Sequence, residues 1–276
     1  MSPYAIFVVG ACFHYLGPAF AVLLFQHVAP PGVAWLRIAT AALVFAVWRR
    51  PWRYLARLGS AERCTVVGLG IVLGLMNACF YEAISRLPLG TVSAIELLGP
   101  IALAAAGMRT ARKLAALSLV VAGVYALTDV RIEGEPLGYV FAFANCGLFM
   151  IYIALGHRIA SGAHGIDRLG AAMIVALITV LPIGIRDAAP AFTSPRLLGA
   201  AIGVGIASSV IPYVCDQLAM ARLPRATFAF LLALLPAMAF AIGLVVLRQV
   251  PTRVDCLGLV LVVAGTWLHS RGRQLS

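Results

Sequence analysis

Apolar residues fill this chain in long runs, and polar residues collect in the short gaps between them. Ten runs stand out, at about 4–25, 32–48, 64–84, 89–107, 111–128, 137–156, 169–186, 197–219, 226–247 and 253–269. A helix rises about 1.5 Å per residue, so about 20 mainly apolar residues cross a bilayer's hydrocarbon layer. The runs have about that length, whereas membrane β-strands are shorter and alternate in polarity. The pattern therefore predicts an all-α membrane protein with ten transmembrane helices. The longest gaps, around 49–63, 157–168 and 187–196, leave no room for a soluble domain.

Composition strengthens this reading. Of 276 residues, 62% are hydrophobic and only 11% charged, while a soluble domain needs roughly a quarter of its surface charged. A soluble enzyme or nucleic-acid module is excluded as the default. The net charge of +11 would suggest a polyanion partner in a soluble protein, but here the basic residues sit between the runs, where topology explains them. No nucleic acid is expected. With the N-terminus inside, fourteen Lys and Arg fall in cytoplasmic segments and six outside, with Arg37 inside the second run. Both termini are thus expected in the cytoplasm, which requires an even number of spans. The opening MSPYAIFVVG has no basic stretch before its apolar run, so it reads as a first span rather than a cleaved signal.

The chain also repeats itself. RLPLGTVSAIELLGP from Arg86 and RLPRATFAFLLALLP from Arg222 share Arg, Leu, Pro, Thr and Pro at an offset of 136. LVVAG occurs at 119–123 and again at 261–265. Duplication divides the chain into a first five-helix repeat, residues 1–128, and a second, residues 137–276. Five spans per copy force the copies to opposite orientations, giving the 5+5 inverted repeat used by secondary transporters.

Polar groups at membrane depth are costly and mark cavities or partners. Glu96 lies about 12 Å into the fourth run by helix rise, just before Gly99 and Pro100, and shares a face with Thr91 and Ser93. It reads as a substrate or proton-coupling group, or as a structural hydrogen bond. Asn77 and Tyr81 share a face of the third run, with Glu82 beyond them toward the outer surface. Their counterparts at the offset of 136 are Tyr213 and Gln217, within a cluster of Ser208, Ser209, Pro212 and Asp216. Asp216 reads as a gate, a proton site or an interfacial carboxylate. Arg37 snorkels outward, pairs with Glu82, or receives a substrate carboxylate. His14, Tyr15, Pro18, Asn145 and Tyr152 are further pore-lining candidates. Pro100, Pro212 and Pro236 are expected to permit helix bending, because proline supplies no amide hydrogen to the ladder. Gly70/Gly74 and Gly199/Gly203 have the spacing of close helix packing.

The six cysteines are dispersed and form no metal or disulfide framework. No phosphate loop, zinc motif or nucleophile elbow is present, so neither enzymatic activity nor a cofactor is expected, and transport would draw on a gradient.

Several stretches resemble the drug/metabolite transporter superfamily, EamA family, and within it the inner-membrane threonine and homoserine exporter group. They are APPGVAWLR (29–37), RRPW (49–52), GLMNACFYEAISRLPLGTVSAIELLGPIA (74–102), IYIALGHR (151–158), the following HG (164–165), and SSVIPYVCDQLAMARLPRATFAFLLALLPA (208–237). The resemblance implies a bacterial inner-membrane carrier that exports small amino acids or related metabolites, with protons as the coupling ion and the bilayer as its surroundings. It carries site roles to Arg37, Asn77, Tyr81, Glu96, Pro100, Pro212, Tyr213, Asp216 and Pro236. The chain departs from the pattern at Leu235 before Pro236 and at Leu247-Arg248, positions where the exporters and the wider family often carry an acidic residue. Alternatives of another class are an EamA-type carrier for a different metabolite or drug-like compound, and a non-transporting membrane scaffold.

Overall fold

The computed structural model describes residues 2–55, 58–87, 89–106, 110–127, 135–160, 164–232, 235 and 253–271. Pro236 and Arg248 lie outside them. Among the described residues the chain is helical, with no β-strand. In order, the elements are α1 (Pro3–Leu24), α2 (Pro30–Arg49), a short α3 (Trp52–Leu55), α4 (Ser60–Ile84), α5 (Leu89–Ala106) and α6 (Ala111–Leu127). There follow α7 (Pro136–Ala160), α8 (Gly165–Gly184), a 3-10 turn (Ala189–Thr193), α9 (Pro195–Gly205), a π-helical segment (Ile206–Val210), α10 (Ile211–Met220), α11 (Arg225–Leu232) and α12 (Arg253–Arg271).

Prolines open α1, α2, α7 and α9, where the missing amide hydrogen would have had no partner in any case. Arg50 ends α2 in the left-handed region at φ 48°, its N–H reaching the Ala46 carbonyl. Several helices begin before or end after their apolar runs. α4 starts at Ser60 rather than 64, and α7 and α8 extend to Ala160 and from Gly165, so most of the expected 157–168 loop is helix. Polar residues do not stop a helix once it has left the hydrocarbon; only the run's hydropathy stops.

Small residues set the packing. α2 and α8 lie antiparallel along their length: Gly184 abuts Pro31 and Trp35, and Gly170 abuts Phe45. α4 runs parallel to α8, with Gly70 against Ala172 and Val175 and Gly74 against Ala176 and Thr179. α6 and α12 pack antiparallel: a Cβ on Gly123 would lie 2.6 Å from the Gly258 carbonyl, and one on Gly265 would lie 2.6 Å from the Ala116 carbonyl. The packing role read for Gly199 and Gly203 is corrected, since both are exposed and a Cβ on either would meet nothing within 4 Å. Spacing alone cannot say which helix face turns inward.

A central core gathers Phe45, Leu69, Leu73, Tyr152, Ile153 and Phe228 from four helices. Large apolar side chains, among them Leu43, Val47, Tyr125, Val140, Ile178 and Val260, are exposed on the outside, a surface suited to hydrocarbon and not to water. Five helical stretches are long and apolar enough to cross a membrane among the described residues: Pro30–Arg49, Ser60–Ile84, Pro136–Ala160, Gly165–Gly184 and Pro195–Met220. Ion pairs sit at both ends of the bundle. Arg49 meets Asp167 at 2.7 Å and Arg168 meets Glu62 at 2.6 Å at one end; Arg86 meets Glu82 and, at 3.5 Å, Glu135 at the other.

Candidate functional site

The site begins with a local break in the long helix from Pro195 to Met220. Pro212 has no amide hydrogen, so the Ser208 carbonyl four residues earlier loses its α-helical donor. The chain here takes up a π-helical segment, Ile206–Val210, a form often found where helices carry function. Arg37 from α2 supplies the missing donor. Its Nη2 donates to the Ser208 carbonyl and its Nε to Ser209 Oγ at 2.6 Å. Nη1 reaches Tyr81 Oη at 3.4 Å, and the guanidinium lies 5.6 Å from that ring's centre. Gly205 lets α2 approach, because a Cβ there would meet Thr40.

Both simpler readings of Arg37 are thereby corrected. It does not snorkel, being only 5% exposed, and it does not pair with Glu82. Glu82 binds Arg86, four residues on in the turn that follows α4, a shorter reach than any across the bundle. Among the described residues Arg37 has no carboxylate partner.

A cavity of ≈ 30 Å³ opens beside it. Its polar lining is His14 from α1, Arg37 from α2, Asn77 from α4, Glu96 from α5, Asn145 from α7 and Tyr213 from α10, with Met76, Phe80 and Phe149 as apolar walls. Asn77 Nδ2 donates to Tyr213 Oη at 3.0 Å and to the Leu73 carbonyl at 2.8 Å. Asn145 Nδ2 donates to Glu96 Oε1 at 2.9 Å. The Asn145 Oδ1 atom has no partner among the described residues. A space of this size holds about two water molecules, so an amino acid would enter only as helices part.

Arg37, Asn77, Glu96 and Tyr213 thus come together, joined by His14 and Asn145. Tyr81 and Asp216 do not line the cavity. Tyr81 is fully buried behind Arg37. Asp216 is buried and accepts from Tyr152 Oη at 2.9 Å, which sets aside the interfacial reading. Pro100 is buried inside a continuous α5, one turn past Glu96. Leu235 is buried in the central core. The side chains of Tyr15 and Pro18 are outside the described set. Met76, Phe80 and Phe149 carried no signal in the sequence, because an apolar wall looks like any other apolar position. Only Phe80, three residues past Asn77 and so on the same helix face, carried a hint.

A multi-helix membrane bundle with a polar, two-signed cavity at its centre defines a membrane transporter. The chain belongs to the EamA-like transporter family, whose pattern matches residues 136–271. It is 30% identical over 253 residues to proteins named threonine/homoserine exporter RhtA from Salmonella typhimurium (strain SL1344) and Escherichia coli (strain K12). The alignments cover 91% of this chain and 85% of each relative. A solved crystal structure matches the fold with a TM-score of 0.72 over 100% of both chains at 19% identity.

Proposed function

We propose that the protein exports small amino acids of the threonine and homoserine type across the bacterial inner membrane, in exchange for protons. The observation that carries this reading is one cavity holding a buried arginine with no carboxylate partner among the described residues and, on another helix, a carboxylate held by a neutral amide. A zwitterionic amino acid offers each charge its complement. Its carboxylate would meet Arg37, its ammonium Glu96, and its polar side chain Asn77 and Tyr213. A nucleobase or a drug-like cation would leave Arg37 unanswered in a low-dielectric site. The names of the relatives point to the same substrates.

The full architecture in this proposal is ten spans as a 5+5 inverted repeat, residues 1–128 and 137–276, with both termini cytoplasmic. Support comes from pairs that exchange under the repeat. Gly123 faces Gly258 and Val262, while Gly265 faces Ala116 and Val120, the same contact after an offset of 142. Asn77 and Tyr213, equivalent at an offset of 136, bond directly, as residues near a two-fold axis would. Arg49, Glu62, Asp167 and Arg168 gather at one end, the end that the distribution of basic residues assigns to the cytoplasm.

Purified protein in liposomes loaded with labelled threonine or homoserine tests the function. Efflux above empty liposomes, accelerated by an opposing proton gradient, is the expected result. Glu96→Gln should lower that efflux at least tenfold. Failure of wild-type protein to move either amino acid would reject the substrate. Full transport by Glu96→Gln would reject the site.

A further inference from the structure

A second buried acidic site lies behind the cavity wall. Asp216 on α10 is 7% exposed, and its one described hydrogen-bond donor is the neutral Tyr152 hydroxyl. Beside it Gln217 is 1% exposed, and neither its Oε1 nor its Nε2 has a partner among the described residues. Gly156 on α7 lets α10 pack close: a Cβ there would lie 2.9 Å from Met220 Sδ and 3.5 Å from Gln217 Nε2. Buried amides normally find partners, so Gln217 leaves hydrogen-bonding capacity beside the Asp216 carboxyl.

The charged surroundings are sparse. α7 presents Tyr152 and, beyond it, His157, whose ring nitrogens lie near the Ile153 and Leu223 carbonyls, with Arg158 at its end. α10 itself offers Tyr213 and Cys215, and the π segment its serines. α1 contributes Tyr4 and His14, the latter on the cavity. α11 begins with Arg225. α8 carries Asp167 and Arg168 in its first turn, already paired with Arg49 and Glu62. No ion pair to Asp216 exists among the described residues. An ionised carboxylate buried with one neutral donor is costly, and a proton removes the charge.

The site also touches the substrate cavity. The Tyr152 ring packs against Tyr213 at 5.7 Å between centres, and Tyr213 lines the cavity and holds Asn77. A change at Asp216 therefore reaches the cavity wall through two packed rings.

We propose that Asp216, with Tyr152 and Gln217 around it, binds the exchanged proton, apart from Glu96, which faces the substrate. The exchange step is then the transfer of one proton onto or off an Asp216 carboxyl oxygen, with water at whichever mouth is open as its source or sink. The inference deepens the exchange reading above and rests on it; its first readout tests the protonation of Asp216 by itself.

The first readout is infrared spectroscopy of the purified protein, following the C=O stretch of a protonated carboxyl. In the Glu96→Gln background, which removes the cavity carboxyl, a band that disappears with rising pH is expected, and its loss is expected when Asp216→Asn is added. Tyr152→Phe keeps the carboxyl and should shift the band's frequency, which decides the matter if Asp216→Asn does not fold. In liposomes, the ratio of threonine flux with a proton gradient to flux without should fall to one in Asp216→Asn. A band surviving in the Glu96→Gln/Asp216→Asn double variant, no band in Glu96→Gln, a band unshifted when Tyr152→Phe is added, or a flux ratio unchanged in Asp216→Asn would overturn the proposal. A correct band pattern without any threonine flux would reject the substrate reading and leave the protonation of Asp216 standing.

Discussion

The Ser208 carbonyl stands four residues before Pro212, and proline brings it no amide hydrogen. Arg37 fills that role from another helix, so a break in one helix and a charge in another are a single arrangement. Its energetic meaning can be measured. Arg37→Leu leaves a buried acceptor bare, which costs about 1–3 kcal/mol, and should lower the thermal midpoint in detergent. Pro212→Ala restores a local donor, so the same Arg37→Leu change should cost less in that background. A coupling of about 0.5–3 kcal/mol between the two is expected, and additive effects would refute the link. Arg37, Asn77, Glu96 and Tyr213 were legible because polar groups in apolar runs announce themselves. Arg37's partner was not, since the Ser208 carbonyl carries no mark in a sequence and its distance of 171 residues hides it.

At the scale of elements, approach distance depends on glycines that face the right way. Gly123 and Gly265 lie where α6 and α12 touch, while Gly199 and Gly203 look outward with the same kind of motif. Gly123→Ile must push α12 away from the Gly258 carbonyl. Overpacking of this sort costs about 1–3 kcal/mol, so a lower thermal midpoint is expected, whereas Gly203→Ile should leave it within about 0.5 kcal/mol. Equal effects at the two positions would contradict the packing. Among the described residues, that apolar runs form helices was legible from run length. Helix ends were less so, because α4, α7 and α8 continue past the hydrocarbon edge on polar sequence.

For the whole molecule, the exposed apolar belt and the two ends with their ion pairs give the bundle an axis. The proposed orientation follows from the basic residues and is open to a direct check. In a background with the native cysteines replaced, Ser60→Cys should react with an impermeant thiol reagent only in inside-out vesicles. Glu135→Cys should react only in right-side-out ones. Both positions are exposed and lie on segments of opposite assigned side. Labelling of both from one side would overturn the topology.

Hydropathy, charge distribution and the repeated RLP and LVVAG stretches determined that this chain makes apolar helices for a bilayer and where its scarce polar residues sit. These are properties of each segment's own transfer energy, and they need no neighbour to express them. Which polar residues meet was decided by the tertiary structure alone. Glu82 went to Arg86, Arg37 to a carbonyl freed by Pro212, Glu96 to Asn145, and Asp216 to Tyr152. In a low-dielectric interior each such group takes the best donor or acceptor that helix packing brings within reach. That choice depends on helix rotation and approach, which run length and composition do not encode.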